Sequence, residues 1–211
     1  MSSTHTARNP RARRRSPIGF LRASAFALLG LGGLAAHAAG WQLDAANSSV
    51  GFATVKNDVV GEGHAFGRLS GSIDAKGVAH LKIDLASVDT GIPIRDERMR
   101  DLLFEVARFP VAEISATVPL AEIEPLPVGA SILLPLELTL KLHGAETTLA
   151  ASLRVRRLDA GHVLVTTVKP VVVSAAEVGL GEAIERLREI AGLQSISPAV
   201  PVSVVLAFRR P

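Results

Sequence analysis

The strongest constraint on the fold is an alternation of apolar and polar residues with a period of two. In residues 132–142, five leucines at even positions oppose Glu137, Thr139 and Lys141. Because successive side chains of a β-strand point to opposite faces, this pattern predicts a half-buried strand. The same pattern recurs in four further segments, residues 79–85, 112–118, 147–155 and 200–208.

Short turns separate these segments. The stretches "DAKG" (74–77), "HGAE" (143–146) and "DAGH" (159–162) each place glycine where a tight hairpin needs a permissive backbone. Short connections allow only antiparallel pairing between neighbouring strands. About eight strands are predicted, the second and third of which could form one bent strand: residues 49–57, 62–70, 71–74, 78–89, 112–119, 131–143, 146–157, 162–174 and 199–209.

Two segments follow helical spacing instead. Residues 94–106 and 181–192 each place apolar residues on one side of a short helix, and Gly192 is suited to end the second. The predicted fold class is therefore all-β with two short helices. Since every strand has one apolar face to bury, we expect an antiparallel eight-stranded barrel.

The first 38 residues are typical of a cleaved signal peptide. Residues 8–15 hold five arginines and no acid, the apolar residues 23–36 follow, and Ala36 and Ala38 form an A-x-A cleavage pattern. Residues 1–38 are thus predicted to be removed, which leaves residues 39–211 as one domain in the periplasm or outside the cell. An uncleaved anchor is the alternative. After cleavage we expect no segment that spans a membrane.

Removal of the leader changes the charge of the protein. The leader holds six of the 23 Lys and Arg residues and none of the 20 Asp and Glu residues, so the net charge falls from +3 to −3. A nucleic-acid-binding surface is therefore not expected. The sequence has no cysteine, which excludes disulfides, thiolate metal sites and a cysteine nucleophile.

The inward faces of the predicted barrel offer mainly Leu, Ile, Val and Ala. The chain has no tyrosine, one tryptophan (Trp41) and seven phenylalanines. An interior of this kind suits a long aliphatic ligand better than a sugar or a nucleotide. The alternative is that the same side chains fill the barrel, which would make the protein a structural or stress-related envelope protein. The sequence leaves both readings open.

Residues 88–110 carry nine charged side chains, which raises the question of an active site. Oppositely charged pairs such as Asp96 with Arg100 lie at helical spacing, so a solvated helix with internal ion pairs is favoured over acid–base catalysis. A hydrolase that uses carboxylates of residues 96–101 is the lesser alternative. No metal site is predicted, because the histidines after the leader are separated along the chain and are interpreted as solvent-facing: His64, His80, His143 and His162.

Four motifs follow one another along the chain: "LDAANSSVGFATVK" (43–56), "GEGHAFGRLSGSID" (61–74), residues 83–117 with "RDERMR" and "RFP", and "LELTLKLHGAETTLAASLRV" (136–155). In this order they resemble the YceI-like polyisoprenoid-binding family. The resemblance covers about residues 41–210. It implies a lipocalin-like barrel in the periplasm that holds an isoprenoid lipid or a quinone, with no catalytic residue, no metal and no required cofactor.

The expected partner is therefore an amphiphilic lipid. The oligomeric state is open, and a homodimer is compatible with the sequence. Alternation places most candidate ligand-binding side chains on inward faces, and Leu102 and Phe104 come from the first helix, which is expected to cover one end of the barrel. The candidates are Phe52, Phe66, Ile83, Leu85, Leu102, Phe104, Ile114, Leu138, Leu140, Leu153, Val204 and Leu206.

Overall fold

Eight antiparallel strands close into a barrel in the computed structural model, which describes residues 40–210. The predicted leader, residues 1–38, lies outside the described residues. Around the ring the strand order is β1–β3–β4–β6–β7–β8–β9–β11, and β11 pairs with β1 to complete it. The strands of the described part are β1 Trp41–Lys56, β2 Val60–Phe66, β3 Leu69–Ile73, β4 Val78–Asp84, β5 Val88–Asp89, β6 Val111–Thr117, β7 Ser131–Leu142, β8 Ala145–Arg157, β9 His162–Thr167, β10 Val171–Ser174 and β11 Ala199–Arg209.

The all-β prediction is confirmed, and the barrel is the expected eight-stranded one. β2 pairs with the second half of β1, along the edge where β3 pairs with its start, so β2 and β3 form one bent strand of the wall, as the sequence allowed. Among the described residues, β5 adds to β2 and β10 adds to β11. A closed ring leaves no exposed edge along the barrel wall, so the strands satisfy their own backbone hydrogen bonds.

Three helices accompany the barrel in residues 40–210. They are α1 Pro93–Arg98, α2 Leu120–Ile123 and α3 Gly181–Ile190. The first continues into a π-helical turn, Met99–Leu103, where the predicted helix was expected to run on to residue 106. The four residues of α2 were not predicted, because a single turn is too short to show helical periodicity.

Two predicted strands are interrupted in the structure. The strand predicted over residues 78–89 ends at Asp84, whose carboxylate accepts a hydrogen bond from the Ala86 backbone and starts the 3₁₀ turn Leu85–Ser87. The strand predicted over residues 162–174 breaks between β9 and β10, next to Pro170, which has no N–H to donate to a neighbouring strand. The first strand is longer than predicted and has a register shift between Asp44 and Ser49.

The "DAKG" turn shows why glycine is needed between the strands. The Asp74 carboxylate accepts hydrogen bonds from the backbone of Lys76 at 2.8 Å and of Val78 at 2.9 Å. Gly77 follows with φ of +86°, and a side chain there would collide with the carbonyl oxygen of Val118. Any other residue at position 77 would therefore strain the turn that joins β3 to β4.

Candidate functional site

The barrel encloses a cavity of about 580 Å³ whose wall is almost entirely apolar. If side chains filled the barrel, no cavity of ~300 Å³ or more would remain in it. The space found here exceeds that limit, so the side chains leave room for a ligand. Among residues 40–210, four charged side chains line the cavity, those of Lys56, Glu62, Arg95 and Arg98, and all four belong to β1, β2 or α1.

One end of the cavity is closed by large buried side chains, and we call it the sealed end (Trp41, Ile73, Ile123 and Phe208). Each of these residues is at most 6% exposed. Trp41 pairs with Ile73 across β1 and β3, while α2 supplies Ile123. Outside this layer, the guanidinium of Arg210 lies 4.5 Å from the Trp41 ring centroid.

Eleven of the twelve predicted ligand-binding residues line this cavity. They come from eight segments that lie far apart in the sequence and that the barrel brings together: Phe52, Phe66, Ile83, Leu85, Phe104, Ile114, Leu138, Leu140, Leu153, Val204 and Leu206. Contact with a ligand remains a prediction for all of them.

Leu102 is the exception, and its predicted place was wrong. It is half-buried and does not line the cavity, whereas Leu103 is 7% exposed and does. The cause is the π-helical turn over residues 99–103, which spaces its hydrogen bonds five residues apart. The Phe104 amide thus donates to the Met99 carbonyl at 2.9 Å. Each residue of a π turn rotates less about the helix axis than in an α-helix, so Leu102 lies away from the face of the buried Met99, whereas Leu103 stays on it.

Sequence reasoning also missed several cavity residues. Trp41 was not a candidate, because the register shift between Asp44 and Ser49 breaks the alternation that links it to Phe52. Alternation within β7 and β8 was a usable signal for two others, Leu134 and Val155, which share the inward faces of their strands. They complete the wall towards the sealed end.

The opposite part of the cavity, which we call the open end, begins with a row of aromatic rings. Phe52 and Phe66 have ring centroids 5.2 Å apart, and Phe66 and Phe104 are 5.9 Å apart. The ring of His64 lies 5.1 Å from that of Phe52. These rings form the boundary between the aliphatic wall and the charged residues.

A hydrogen-bond network centred on Arg95 attaches α1 to the barrel. The guanidinium donates to the Glu62 carboxylate at 2.5 Å, to the Thr90 carbonyl at 2.7 Å and to the Thr90 hydroxyl at 2.8 Å. Lys56 binds the other oxygen of the Glu62 carboxylate at 2.8 Å. These two cations hold the pKa of Glu62 below its ordinary value, with the Lys56 hydrogen bond as the largest cause.

The ion pairs predicted inside the helix do not form. Among the described residues, Arg100 makes no ion pair with Asp96 or Glu97, and Arg98 makes none with Asp101. Asp96 instead accepts hydrogen bonds from the Thr90 hydroxyl and backbone amide at 2.5 and 2.9 Å. The helix α1 is thus held by Glu62 of β2 and by Thr90, the residue after β5, rather than by ion pairs within the helix. Since the Asp96 carboxylate is engaged in hydrogen bonds from Thr90, the geometry favours a structural role for it over catalysis.

His64 contradicts the expectation of a solvent-facing turn residue. It lies within β2 and is only 8% exposed, with its Nε2 atom 3.0 Å from the Thr54 hydroxyl. Its Nδ1 atom has no hydrogen-bond partner among the described residues. Burial lowers the pKa of His64, and the nearby Arg95 charge lowers it further. A neutral imidazole therefore stands beside the charged network.

The other three histidines lie apart from His64. His80 and His162 are exposed as expected, whereas His143 is half-buried against Phe109, with ring centroids 4.4 Å apart. In residues 40–210, no group of three or more His, Asp or Glu side chains has a geometry that would hold a metal ion. Within the same range, no helix is both long and apolar enough to cross a membrane.

A family model for the YceI-like domain matches residues 41–208, from the start of β1 almost to the end of β11. The chain belongs to the YceI-like family. The match spans the whole barrel and both ends of the cavity, which confirms the family suggested by the ordered motifs. No curated protein sequence matches the chain.

Three solved structures resemble this YceI-like protein. A polyisoprenoid binding domain from Saccharophagus degradans, implicated in plant cell wall breakdown, shares 42% identity over 82% of this chain and 99% of its own, with a TM-score of 0.80. BcnA from Burkholderia cenocepacia shares 18% identity over 78% and 98% of the two chains, with a TM-score of 0.61. A mutant CJ YceI protein made for nanotechnology shares 13% over 70% and 84%, with a TM-score of 0.51. The last two support the fold alone.

Proposed function

We propose that this YceI-like protein binds a polyisoprenoid or a similar long-chain lipid or quinone in its barrel and carries, stores or sequesters it in the periplasm. The observation that carries the proposal is the cavity of about 580 Å³ with an almost wholly apolar wall. Each methylene group moved from water into such a wall contributes about 0.8 kcal/mol. A long aliphatic chain thereby gains affinity along its whole length.

The arrangement of the two ends gives the ligand a direction. Trp41 and its neighbours close the sealed end without a charged lining residue, so the apolar tail belongs there. Lys56, Glu62, Arg95 and Arg98 line the open end, so the polar head group belongs there. The 42% identical relative is described as a polyisoprenoid binding domain, which supports the same class of ligand.

The proposed role is binding without catalysis. Among the described residues Glu62 is the one carboxylate of the cavity lining, and it is engaged by Lys56 and Arg95. Asp96 on α1 is engaged by Thr90. Periplasmic location is part of the proposal. It rests on the signal-like residues 1–38 of the sequence.

The test compares two neighbouring residues of β6 that face opposite sides of the barrel wall. Ala116 lines the cavity opposite Ala79, whereas Thr117 is exposed outside. Ala116→Phe should fill space between two alanines and lower uptake of an added isoprenoid quinone by about tenfold or more. Thr117→Phe adds the same ring on the outer face and should bind like the native protein.

The measurement is organic extraction of natively purified protein, followed by mass spectrometry and by titration with the quinone. The proposal predicts one lipid per native chain, little in Ala116→Phe and a native amount in Thr117→Phe. Protein that is free of lipid and takes up no isoprenoid quinone would contradict it. Equal binding by both variants would place the ligand outside the barrel.

A further inference from the structure

Four aliphatic side chains protrude into solvent beside the open end, and we call them the rim (Val59, Val60, Ile92 and Ile94). Val59 is 84% exposed on the hairpin between β1 and β2, and Val60 is 44% exposed at the start of β2. Ile92 and Ile94 are 45% and 53% exposed at the start of α1. Exposed side chains of this size need an explanation when they are grouped.

The rim is continuous with the lining of the cavity. Ile92 and Ile94 are exposed to solvent and also line the cavity, which marks the place where it opens. Val60 shares the face of β2 that carries Glu62 and His64, both of which line the cavity. A lipid that enters or leaves past α1 therefore crosses the rim.

The rim is held in place by hydrogen bonds. The Asn57 amide donates to the Ser195 carbonyl at 3.0 Å, and the Asn57 side chain accepts from the Gln194 amide at 2.8 Å. These contacts fix the hairpin that carries Val59. On the other side, the bond between Arg95 and Glu62 fixes the start of α1. The four aliphatic side chains are thus presented on two anchored tips.

The charges beside the rim nearly balance. Residues 56–62 and 92–98 contain three basic residues and four acidic ones, which gives a formal net of −1. Attraction to an anionic lipid surface would require a clear excess of basic residues, because each Lys or Arg adds only a small attraction. Binding at this surface must instead come from the aliphatic side chains.

We propose that the rim docks the protein on the surface of a lipid bilayer, with Val59, Val60, Ile92 and Ile94 inserted among the lipids and the open end facing the membrane. Two narrow tips cannot supply the flat area of about 800 Å² per partner that a stable protein interface buries. A bilayer accepts separate aliphatic side chains and is also the source of long-chain lipids. Docking needs no bound ligand, so it goes beyond the proposed function and can fail independently of it.

The experiment measures binding of the chain that starts at Ala39, which contains the whole barrel, to vesicles of phosphatidylcholine. The test variant is Val59→Ser with Ile94→Ser. The matched control is Val128→Ser with Leu133→Ser, which removes two aliphatic side chains of 66% and 54% exposure that do not line the cavity. A third variant, Ala116→Phe, fills the cavity and leaves the rim unchanged.

The native protein, the matched control and Ala116→Phe should all partition onto the vesicles. The rim variant should lose about tenfold or more in partition coefficient. Added phosphatidylglycerol or salt should change the binding little. If Ala116→Phe binds vesicles but takes up no lipid, docking does not depend on a lipid in the cavity, and the two proposals are tested separately.

Three results would overturn the proposal. The first is equal partition of the rim variant and the matched control. The second is binding that appears only with phosphatidylglycerol and disappears in salt, because charge would then drive it. The third is no vesicle binding by the native protein together with a dimer in sedimentation that the rim variant abolishes, which would assign the rim to a second copy of the chain.

Discussion

The sealed end and the open end of one cavity are built from opposite chemistry. At the sealed end, Trp41 and Ile123 are 1% and 4% exposed. At the open end, Arg95 and Glu62 keep 24% and 29% of their side chains exposed, and α1 is attached through their hydrogen bonds. Packed side chains of the first kind stabilise a fold strongly, whereas partly exposed polar contacts can open at small cost. The barrel thus combines a tightly packed base with an end whose contacts open at lower cost.

The largest expected effect is at the sealed end. Trp41→Ala removes the largest fully buried side chain and should lower the free energy of unfolding by about 3–5 kcal/mol. Urea denaturation measures this loss. Ile94→Ala, at the rim, is the control and should cost less than about 0.5 kcal/mol. Equal losses at the two sites would contradict the difference between the ends.

A smaller effect is expected where α1 is attached. Arg95→Met removes the donor to Glu62 and Thr90 and should cost about 1–2 kcal/mol. Amide hydrogen exchange should also become faster over Pro93–Arg98. Arg98→Met is the matched control, because Arg98 also lines the cavity but makes no ion pair among residues 40–210. If both variants exchange alike, the network does not hold α1.

The open end also predicts a dependence on pH. Burial lowers the pKa of His64 below its ordinary value of 6.5. Between the folded pKa and about 6.5, His64 is therefore protonated in the unfolded chain and neutral in the folded protein. Stability should therefore fall as pH drops through about 6.5 and should stop falling for this reason below the folded pKa. Urea midpoints measured between neutral and mildly acidic pH would show it.

His64→Gln is the control for this titration. Its amide can still contact the Thr54 hydroxyl but does not titrate, so the decline near pH 6.5 should disappear. A second decline should remain at lower pH, because the pKa of Glu62 is lowered from 4.5 and its stabilisation is lost as pH falls through the folded pKa. An unchanged first decline in His64→Gln would assign it to another group.

Leu102→Ala should have the smallest effect of this series. Leu102 is half-buried and lies outside the cavity wall, so lipid affinity should stay at the native value. Leu103→Ala should weaken lipid binding, because Leu103 is buried and lines the cavity. Quinone titration of the two variants tests the π-helical turn directly. A larger loss of lipid affinity in Leu102→Ala than in Leu103→Ala would contradict this and would place Leu102 in the cavity wall.

Alternation predicted the barrel wall well because each strand buries one face. Leu138 and Leu140 on β7 and Ile114 on β6 line the cavity as the period of two requires. The ends were predicted less well, since they depend on single hydrogen bonds between distant segments. No local pattern indicates that Arg95 pairs with Glu62, 33 residues away, or that His64 is buried beneath that pair.

The most direct test of the central claim uses the only tryptophan of the chain. Trp41 lines the sealed end, and the path along β1 from Phe52 to Trp41 is on the order of 30 Å. A bound lipid that carries a quencher at the end of its tail should therefore quench Trp41 fluorescence strongly. The same lipid labelled beside its head group should not. Ala116→Phe should abolish the quenching. Equal quenching by both labels, or none by either with lipid bound, would contradict a lipid whose tail lies at the sealed end.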